Sequence, residues 1–367
     1  MPGARQVGKT TLALQIAKNQ TKPFLYLDME SRRDVAKLSD DLETFFEYHQ
    51  DKLIVIDEIQ AQPHLFSLLR SIIDKKCENG RFLLLGSATP ALVKGVSESL
   101  TGRVSYADLQ PLKCSEVHNV VGMEHHWYRG GFPLALLAAN DAAFSDWTQS
   151  YIRTYVQSDL SQLFGYQLNP AISEKLLVML ANSHGQLLNY QDLARSIGVT
   201  SPVANRYTDF LEGAFLVYRL QPWFANVTKR LVKSPKLYIK DSGILHGLLS
   251  VESFGMLTLN PVIGASWEGY AIEQIICHKN QNLMPYFNRT HTGAEIDLLL
   301  IRAGKPVASI EIKYSNAPRV GKGFYVGISD LATTQNFVIT PDSDTFPIHN
   351  AIVCNLKTFL EKFLPQL

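Results

Sequence analysis

The chain opens with a loop pattern that restricts its fold more than any other feature of the sequence. Residues 3–10 read Gly-Ala-Arg-Gln-Val-Gly-Lys-Thr and fit the pattern G-x-x-x-x-G-K-[ST]. In loops of this kind, backbone N–H groups cradle phosphates at the start of a helix. Residues 10–17 follow with the apolar spacing of a helix. The alternative is an ordinary glycine-containing turn before a helix, so further elements must support the phosphate site.

The residue types in this loop suit a nucleotide bound together with a cation. The glycines let the backbone approach oxygen atoms closely, and Lys9 is expected to reach the terminal phosphates. The hydroxyl of Thr10 is suited to bind Mg²⁺, because hard cations bound to nucleotides prefer oxygen ligands.

Two carboxylates end a predicted strand further along the chain. Residues 53–56 form a continuous apolar run, which is typical of a strand buried on both faces of a parallel sheet. Asp57 and Glu58 follow at the carboxyl end of this run, where open α/β sheets bind ligands. We expect Asp57 to hold the Mg²⁺ shell and Glu58 to polarise the attacking water. An α/β core with incidental acids is the alternative.

A third apolar run, residues 82–85, leads into Gly-Ser-Ala-Thr at residues 86–89. Small hydroxyl groups at this strand tip suit either a γ-phosphate sensor or a group that positions the attacking water. Arg103 follows, and we expect it to stabilise γ-phosphate charge in its own chain or in a neighbouring copy, which leaves a homo-oligomer open. Pairing with a surface carboxylate is the alternative for this arginine. The expected catalytic residues are Glu58, Lys9, Ser87 and Arg103.

The start of the chain departs from the usual form of such a loop. A phosphate loop normally follows a buried strand, yet only Met1 and Pro2 precede Gly3, and two residues cannot form a strand of ordinary length. We expect either that the reading frame begins upstream of Met1 or that the site lacks its central support. The first domain, residues 1–112, is thus predicted to be a P-loop parallel-sheet domain whose first strand is missing.

Length and composition bound the class of protein. A chain of 367 residues exceeds one ordinary core, so two or three domains are expected. The net charge of +1 excludes a globally basic protein, and any nucleic-acid contact must come from a local patch. The four cysteines are scattered without metal-ligand spacing and indicate reduced thiols. No secretory leader or membrane-spanning run is evident, so we expect a cytoplasmic protein without membrane contact.

The middle domain, residues 113–235, is predicted to be a helical connector followed by a winged helix-turn-helix. Helices are predicted at residues 170–183 and 190–196, and Ser201 with Pro202 opens a longer one before a strand-like run. This order resembles a winged helix-turn-helix. The longer helix offers few base-reading side chains, namely Asn205, Arg206 and Thr208. A DNA reader and a structural module both stay open.

Cations cluster at the boundary between the middle and last domains. They alternate with apolar residues that include an aromatic, an arrangement that can bind the phosphates of DNA. The alternative is a solvated strand edge protected by lysine. The members of this cluster are Lys229, Arg230, Lys233, Lys236 and Lys240.

A second group of acids lies in the last domain, residues 236–367. Glu268 belongs to a predicted helix, Asp297 to a strand, and Glu311 with Lys313 to the strand that returns beside it. This order matches the metal-site pattern of PD-(D/E)xK nucleases, in which carboxylates hold Mg²⁺ and a lysine orients the attacking water. The alternative is a charged outer face on a half-buried hairpin.

The register of that hairpin decides whether the acids meet. Opposed residues of an antiparallel pair share a face, so Asp297 must lie opposite Glu311 or Lys313. A symmetric four-residue turn over residues 303–306 would send Asp297 to the other face. The metal-site hypothesis therefore requires an odd loop or a bulge, and Gly304 suits the left-handed position of a three-residue loop with a bulge. The acid of the preceding helix should approach the same face.

Taken whole, the chain resembles the bacterial and archaeal P-loop ATPases of the AAA type that carry a C-terminal domain of unknown function related to restriction endonucleases. The matching motifs span nearly the full length, and residues 229–238 form the most specific of them. The motifs are residues 3–11, 53–60, 86–87, 100–103, 129–133, 229–243 and 311–313. The resemblance implies ATP binding, with Ser87 as sensor.

We therefore expect an α/β protein with three parts: a P-loop parallel-sheet ATPase domain, a winged-helix middle and a restriction-endonuclease-like C-terminal domain. ATP and Mg²⁺ are the expected cofactors, and ATP hydrolysis is expected to switch the relation of the parts. The expected nucleotide-binding residues are Gly3, Ala4, Arg5, Gln6, Val7, Gly8, Lys9, Thr10 and Thr11. The expected metal-binding residues are Thr10, Asp57, Glu268, Asp297 and Glu311, with Lys313 as a nuclease-like partner. The alternatives are a nucleotide-gated DNA endonuclease and a non-enzymatic DNA- or protein-binding regulator with a decayed ATP site.

Overall fold

Two compact units make up the chain in the computed structural model, and each unit is assembled from separate stretches. The structure describes residues 1–38, 41–76, 78–87, 100–160, 168–224, 232–291 and 293–367. Unit 1 comprises Met1–Leu112, Tyr151–Ser173 and Arg206–Leu216. Unit 2 comprises Lys113–Ser150, Glu174–Asn205 and Val217–Leu367. The three domains expected from the sequence, with boundaries at residues 112 and 235, stay a prediction.

A parallel three-stranded sheet forms the centre of unit 1. Its strands are β1 (Phe24–Asp28), β2 (Leu53–Asp57) and β3 (Phe82–Leu84), paired in the order β1-β2-β3. The helices before the first unit boundary are α1 (Lys9–Lys18), α2 (Arg32–Ala36), α3 (Leu42–Tyr48) and α4 (His64–Lys75). The central strand β2 is buried along its whole length, as its apolar run predicts. Ala13 and Ala17 of α1 lie in the same core cluster as Val55. The parallel α/β sheet predicted for the first domain is confirmed.

The apolar pattern of the sequence also predicts helices over residues 31–48 and 59–77, and both have different bounds in the structure. The helix predicted to start at Ile59 begins instead at His64. Pro63 stands directly before it, because proline is tolerated at a helix start and disfavoured inside. Cys77, its predicted last residue, lies outside the described residues. The surface helix predicted for residues 31–48 forms as two helices, α2 and α3.

The segment before the phosphate loop has backbone partners on two sides. Pro2 pairs in parallel with Gly86, and Gly3 pairs in parallel with Leu109. The backbone N–H of Gly3 donates to the Gly86 carbonyl at 3.2 Å, and the N–H of Leu109 donates to the Pro2 carbonyl at 2.8 Å. These hydrogen bonds support the start of the loop beside the carboxyl end of β3.

Unit 2 carries a six-stranded mixed sheet and a separate strand pair. Its strands are β4 (Val217–Leu220), β5 (Lys236–Ile239), β6 (Leu283–Arg289), β7 (Glu295–Arg302), β8 (Lys305–Ile312), β9 (Gln335–Thr340), β10 (Phe346–Ile348) and β11 (Ala351–Asn355). The sheet order is β10-β11-β9-β8-β7-β6, and β4 pairs antiparallel with β5. Strands β6, β7 and β8 are antiparallel, whereas β8, β9 and β11 run parallel. Ile296, Phe324 and Val353 belong to the buried core of this sheet.

The remaining helices are mostly short. They are α5 (Cys114–Val117), α6 (Met123–Arg129), α7 (Pro133–Leu136), α8 (Asp141–Thr154), α9 (Pro170–Asn182), α10 (Tyr190–Ile197), α11 (Ser201–Gly213), α12 (Ser242–Leu248), α13 (Phe254–Leu259), α14 (Ile263–His278), α15 (Lys322–Leu331) and α16 (Leu356–Thr358). Single turns of π-helix follow α8 at Tyr155–Asp159 and α16 at Phe359–Phe363, and a 3₁₀ turn follows at Leu364–Gln366. Along the part of the chain that the structure describes, no helix combines the length and apolarity needed to cross a membrane.

The hairpin of β7 and β8 has the register that the sequence argument requires. Ala303 and Gly304 form a two-residue turn with φ angles of 48° and 77°. A register shift follows between Leu300 and Ile301, so that Leu298 lies opposite Ile310. Continuing this register by one residue sets Asp297 opposite Glu311. The shared face is confirmed, and it arises from a bulge after a two-residue turn, not from the three-residue loop that Gly304 suggested.

The order of elements predicted for the middle domain is present along the chain. Asn189 caps α10 by accepting hydrogen bonds from two backbone N–H groups, and Gly198 ends this helix in the left-handed conformation. Helix α11 follows, and then the pair β4 and β5. Thr208 of α11 is fully buried, so its expected role in reading bases is wrong. The winged-helix assignment stays a prediction.

Candidate functional site

The phosphate loop leads into helix α1 through a glycine that its backbone requires. Gly8 has a φ of 97° and sits directly before the helix, a conformation that side-chain-bearing residues rarely adopt. Gln6 also has a positive φ, 64°. Helix α1 then begins at Lys9, and the N–H of Leu12 donates to the Gly8 carbonyl at 2.9 Å. The N–H groups of the first helical turn face the loop, as in a phosphate cradle.

The side chain of Lys9 is buried under this loop. Its ammonium donates to the carbonyls of Gly3 at 3.2 Å and Ala4 at 2.9 Å, and to Ser87 Oγ at 2.9 Å. Burial lowers the pKa of Lys9, and the carboxylates of Glu58 and Asp57 act against that shift. The charge of Lys9 is therefore held beneath the loop by backbone oxygens and one hydroxyl.

Asp57 ends β2 and is held by three donors. The hydroxyl of Thr10 donates to its Oδ2 at 2.6 Å, and the hydroxyl of Tyr26 donates to the same oxygen at 2.9 Å. The backbone N–H of Glu58 donates to Oδ1 at 3.0 Å. The two residues predicted to bind Mg²⁺ in the nucleotide site, Thr10 and Asp57, are thus in direct contact. Their hydroxyl and carboxylate oxygens are the ligand types that Mg²⁺ prefers.

Glu58 has a left-handed backbone conformation, with a φ of 49°. Non-glycine residues rarely adopt it, and such strain concentrates at functional sites. Ser87 Oγ donates to Oε1 of Glu58 at 2.7 Å, and the side-chain amide of Gln60 donates to Oε2. The carboxylate is therefore oriented by one donor on each oxygen. Ala88 and Thr89, the other tip residues named from the sequence, lie outside the described residues.

The remaining loop residues differ in exposure. Gly3, Ala4 and Val7 are buried, whereas Gln6 and Thr11 are exposed. Arg5 is half-buried and forms an ion pair with Glu30 at 2.9 Å. The hydroxyl of Tyr151 donates to the backbone carbonyl of Arg5 at 3.4 Å. The buried residues form the frame of the loop, and the exposed ones lie where a ligand from solvent can reach them.

Arg103 lies in a two-point ion pair at the surface. Its Nε and Nη2 donate to the two carboxylate oxygens of Asp74 at 2.6 and 2.9 Å. Its Nη1 donates to the Thr101 carbonyl at 3.0 Å. Asp74 holds the guanidinium in a fixed plane, and this geometry favours the alternative weighed for Arg103, a surface ion pair. A role at the γ-phosphate stays a prediction.

The residues of unit 1 fit a bound nucleotide with its cation. A glycine-rich loop, the start of a helix and a buried ammonium converge on one point, and a hydroxyl with a carboxylate lies beside them. These are the groups that bind phosphate oxygens and a hard cation. Lys9, Thr10, Asp57, Glu58 and Ser87 come from the loop, β2 and the end of β3 and form one hydrogen-bonded set.

A second cluster in unit 2 brings together acids from a helix and a strand around a buried lysine. The Nζ of Lys236 lies 2.9 Å from Oε1 of Glu295, 3.1 Å from Oε1 of Glu268 and 3.5 Å from Oδ1 of Asp297. We call these four residues the Lys236 cluster. The hydroxyl of Tyr238 donates to Oε1 of Glu268 at 2.6 Å. Glu268 and Asp297 meet as the sequence predicted, with an unexpected cation between them.

The electrostatics of the Lys236 cluster favour a charged lysine. Burial alone would lower the pKa of Lys236, but the nearby carboxylates, Glu268 foremost, outweigh it and raise the pKa well above the ordinary value. Burial and the charge of Asp297 raise the pKa of Glu268. Acids that repel each other in a buried space need a compensating cation, which Lys236 supplies.

Glu311 and Lys313 extend the cluster along β8. The two side chains pair with each other at 2.7 Å between Nζ and Oε1. Burial, followed by the charge of Asp297, raises the pKa of Glu311. The N–H of Ile312 donates to Oδ2 of Asp297 at 3.0 Å and ties the two strands together. All residues of the nuclease-like pattern therefore lie in one neighbourhood of unit 2.

The predicted DNA patch is only partly accessible. Lys236 is 3% exposed and ion-paired, so its expected contact with DNA is wrong. Lys233 is exposed and Lys240 is half-buried. Lys229 and Arg230 lie outside the described residues. Among the cations of this cluster that the structure describes, only Lys233 is exposed, and DNA binding by this patch stays a prediction.

Three residues of these sites were not found by sequence reasoning. Tyr26 lies on β1, two residues before Asp28 and opposite Val55, and reaches Asp57 across the strand pair. Gln60 lies two residues after Glu58. This closeness in sequence was the signal that could have identified it as a site residue. Glu295 begins β7 and shares a face with Asp297, so the period of two along a strand pointed to it.

Three family models match the chain. They are an AAA domain over residues 1–118, a domain of unknown function (DUF8612) over residues 121–254 and a domain of unknown function (DUF4143) over residues 263–359. An AAA domain is a nucleotide-binding domain of the ATPase type, so the resemblance found from the motifs is confirmed at both ends of the chain. A relation of the last domain to restriction endonucleases stays a prediction.

Relatives occur in bacteria and archaea. An uncharacterized protein of Mycobacterium tuberculosis is 37% identical over 353 residues, which cover 96% of this chain and 78% of the relative. An uncharacterized protein of Methanocaldococcus jannaschii is 24% identical over 371 residues, with coverage of 86% and 82%. One of Haemophilus influenzae is 23% identical over 272 residues, 66% of each chain. The chain therefore belongs to a family of bacterial and archaeal proteins, the mycobacterial protein among them, and joins an N-terminal AAA domain to a C-terminal domain of unknown function.

Proposed function

We propose that this protein is a Mg²⁺-dependent ATPase. One observation carries the proposal: Lys9 and Glu58 are linked through the hydroxyl of Ser87, while Thr10 bonds to Asp57 beside them. A phosphate-binding lysine, a cation-binding pair and a general base thus share one hydrogen-bonded set. The match of residues 1–118 to an AAA domain supports the same function.

Each residue has a defined task in this mechanism. The loop N–H groups and Lys9 bind the phosphates of ATP, and Thr10 with Asp57 would hold Mg²⁺. When bound, the cation neutralises phosphate charge. Glu58 orients the attacking water and accepts its proton, and Ser87 couples the position of Lys9 to that of Glu58. Tyr26 keeps the carboxylate of Asp57 in a fixed orientation.

We further propose that the nucleotide state is coupled to a DNA- or protein-binding C-terminal half in a cytoplasmic protein. Support comes from the combination of an AAA domain with two further domains in one chain. The exposed Lys233 is compatible with a phosphate contact. Cys114, Cys277 and Cys354 form no disulfide bonds, which agrees with a reducing compartment.

Phosphate release from ATP tests the proposal directly. The purified full-length chain should release phosphate with Mg²⁺ present, and EDTA should stop the release. The Asp57→Asn variant should lose activity because its neutral side chain binds the cation poorly. A wild-type rate that equals the rate in EDTA, with the protein folded, would contradict the proposal.

The two alternatives predict different results. A nucleotide-gated endonuclease should nick plasmid DNA when both ATP and Mg²⁺ are present. A non-enzymatic regulator with a decayed site should neither bind nor hydrolyse ATP. The intact hydrogen bonds of Lys9 and Asp57 disfavour a decayed site. Lys236, which lies among the nuclease-like acids, disfavours cleavage.

A further inference from the structure

The Lys236 cluster contains a cation where the nuclease-like pattern calls for a metal. Lys236 projects from β5 toward Glu268 of α14 and toward Glu295 and Asp297 of β7. Its side chain is 3% exposed, so the ammonium has exchanged water for carboxylate oxygens. An ammonium is a compact charge with three donors, and three carboxylates lie within 3.5 Å of it.

The residues of this cluster do not fit Mg²⁺ while Lys236 is present. Mg²⁺ requires near-octahedral oxygen ligands at about 2.1 Å, which brings the ligands closer together than an ammonium does. The oxygens also have other partners, because Tyr238 donates to Glu268 and Ile312 N–H donates to Asp297. Among the residues that the structure describes, no group of three or more His, Cys, Asp or Glu side chains is arranged to hold a metal ion.

We infer that Lys236 is the built-in cation of the C-terminal domain and takes the place of a divalent metal among Glu268, Asp297 and Glu295. The domain then keeps the acidic pattern of a nuclease without its metal chemistry. The ammonium holds a strand pair, a helix and a sheet strand together, so the cluster is a structural centre. This inference does not depend on ATP hydrolysis in unit 1.

Removing the ammonium should expose a latent metal site. Without Lys236, the carboxylates of Glu268 and Asp297 lose the cation that lies nearest to them, and a buried uncompensated charge is strongly unfavourable. A divalent cation of the hard type can restore the balance through oxygen ligands. Mn²⁺ suits such a site and serves as the probe.

The test uses the full-length chain without nucleotide, in an Asp57→Asn background that removes a cation ligand of unit 1. Calorimetric titration with MnCl₂ measures binding to this reference, to the same protein with Lys236→Met, and to a control with Lys305→Met. We expect at least about tenfold tighter Mn²⁺ binding at one site for Lys236→Met. The Lys305 control should bind like the reference, because Lys305 is an exposed residue at the start of β8.

Two results would overturn the inference. One is Mn²⁺ binding by the reference protein that Glu268→Gln abolishes, since the cluster would then hold a metal beside Lys236. The other is a folded Lys236→Met variant that gains no Mn²⁺ affinity. Should Lys236→Met fail to fold, Lys236→Gln provides the second variant. If neither variant folds, the effect of Glu268→Gln on Mn²⁺ binding by the reference protein still tests the inference. Mn²⁺ binding that Glu268→Gln leaves unchanged belongs to another site and agrees with the inference.

Discussion

The hydroxyl of Ser87 donates a hydrogen bond to a carboxylate oxygen of Glu58 at 2.7 Å. The same hydroxyl accepts a hydrogen bond from the ammonium of Lys9 at 2.9 Å. Residues from three distant segments of the sequence therefore act on one another directly. In the proposed mechanism, a ligand that draws Lys9 toward its phosphates would change the partners of Ser87, and with them those of Glu58. Nucleotide binding and the activation of water would thereby be linked in unit 1.

Lys9→Ala should weaken ATP binding by about tenfold or more, because hydrogen bonds to a charged group contribute about 1.5–3 kcal/mol. The measurement is the dissociation constant for ATP by calorimetry. Lys18→Ala is the matched control, since Lys18 is an exposed lysine of the same helix. An unchanged dissociation constant for Lys9→Ala would mean that the loop does not bind the phosphates.

Tyr26→Phe should raise the Mg²⁺ concentration that gives half-maximal ATP hydrolysis by about tenfold or more, as expected for loss of a group that orients a metal ligand. The reason is that Asp57 loses a donor on Oδ2 and keeps the one from Thr10. Titration of activity with MgCl₂ measures the effect. Tyr48→Phe, at a residue that is 81% exposed, should leave the Mg²⁺ dependence unchanged. If Tyr26→Phe and Tyr48→Phe show the same dependence of ATP hydrolysis on Mg²⁺ concentration, Tyr26 does not contribute to the cation site.

Arg103→Ala should change the turnover number by less than about threefold, since exposed ion pairs contribute little. The geometry behind this expectation is the two-point contact with Asp74. Asp74→Ala is the matched variant and should behave in the same way. A loss of activity of about tenfold or more in Arg103→Ala alone would instead assign the arginine to the γ-phosphate.

His246 should make the stability of unit 2 decrease as the pH falls. Its Nδ1 contacts the Tyr128 carbonyl and its Nε2 contacts Ser266 Oγ, both at 2.7 Å, and Ser266 also accepts from Trp127 Nε1. Burial lowers the pKa of His246 to about 4, whereas the unfolded chain keeps the ordinary value of 6.5. The unfolded state therefore gains the proton first, and stability is lost as the pH falls from 6.5 toward 4.

The expected loss from this histidine approaches about 3 kcal/mol at the low end of that range. Denaturant unfolding between pH 7 and pH 4 measures it. His246→Gln should flatten the decline relative to wild type, whereas substitution of the exposed His118 should not. Parallel declines in wild type and His246→Gln would show that the pKa of this histidine is the same in the folded and unfolded states.

Local patterns in the sequence were sufficient to predict that Lys9, Thr10, Asp57, Glu58 and Ser87 lie together. The loop at residues 3–10 and the acids Asp57 and Glu58 each follow from a short motif next to a strand or helix. Partners that come from a neighbouring strand were not predictable in the same way. Tyr26 reaches Asp57 only because β1 and β2 pair in a particular register, and no motif in either strand fixes that register.

Only part of the C-terminal cluster could be predicted from the sequence. The alternation of faces along the two paired strands sufficed to predict that Asp297 and Glu311 share a face if a bulge is present. The sequence did not reveal where the bulge lies, because it follows a turn with Ala303 in a left-handed conformation that a non-glycine residue seldom adopts. Lys236 was misassigned to DNA because burial of a lysine depends on acids that are distant in sequence.

Single-turnover and steady-state hydrolysis by Glu58→Gln test the central claim most directly. The variant keeps the shape of the side chain and loses the carboxylate charge, so it should bind ATP like wild type and turn it over at least about a hundredfold more slowly. Glu47→Gln, at an exposed acid of the same unit, is the control and should hydrolyse ATP normally. Wild-type turnover by Glu58→Gln would contradict the account, because no general base would then be identified in this site.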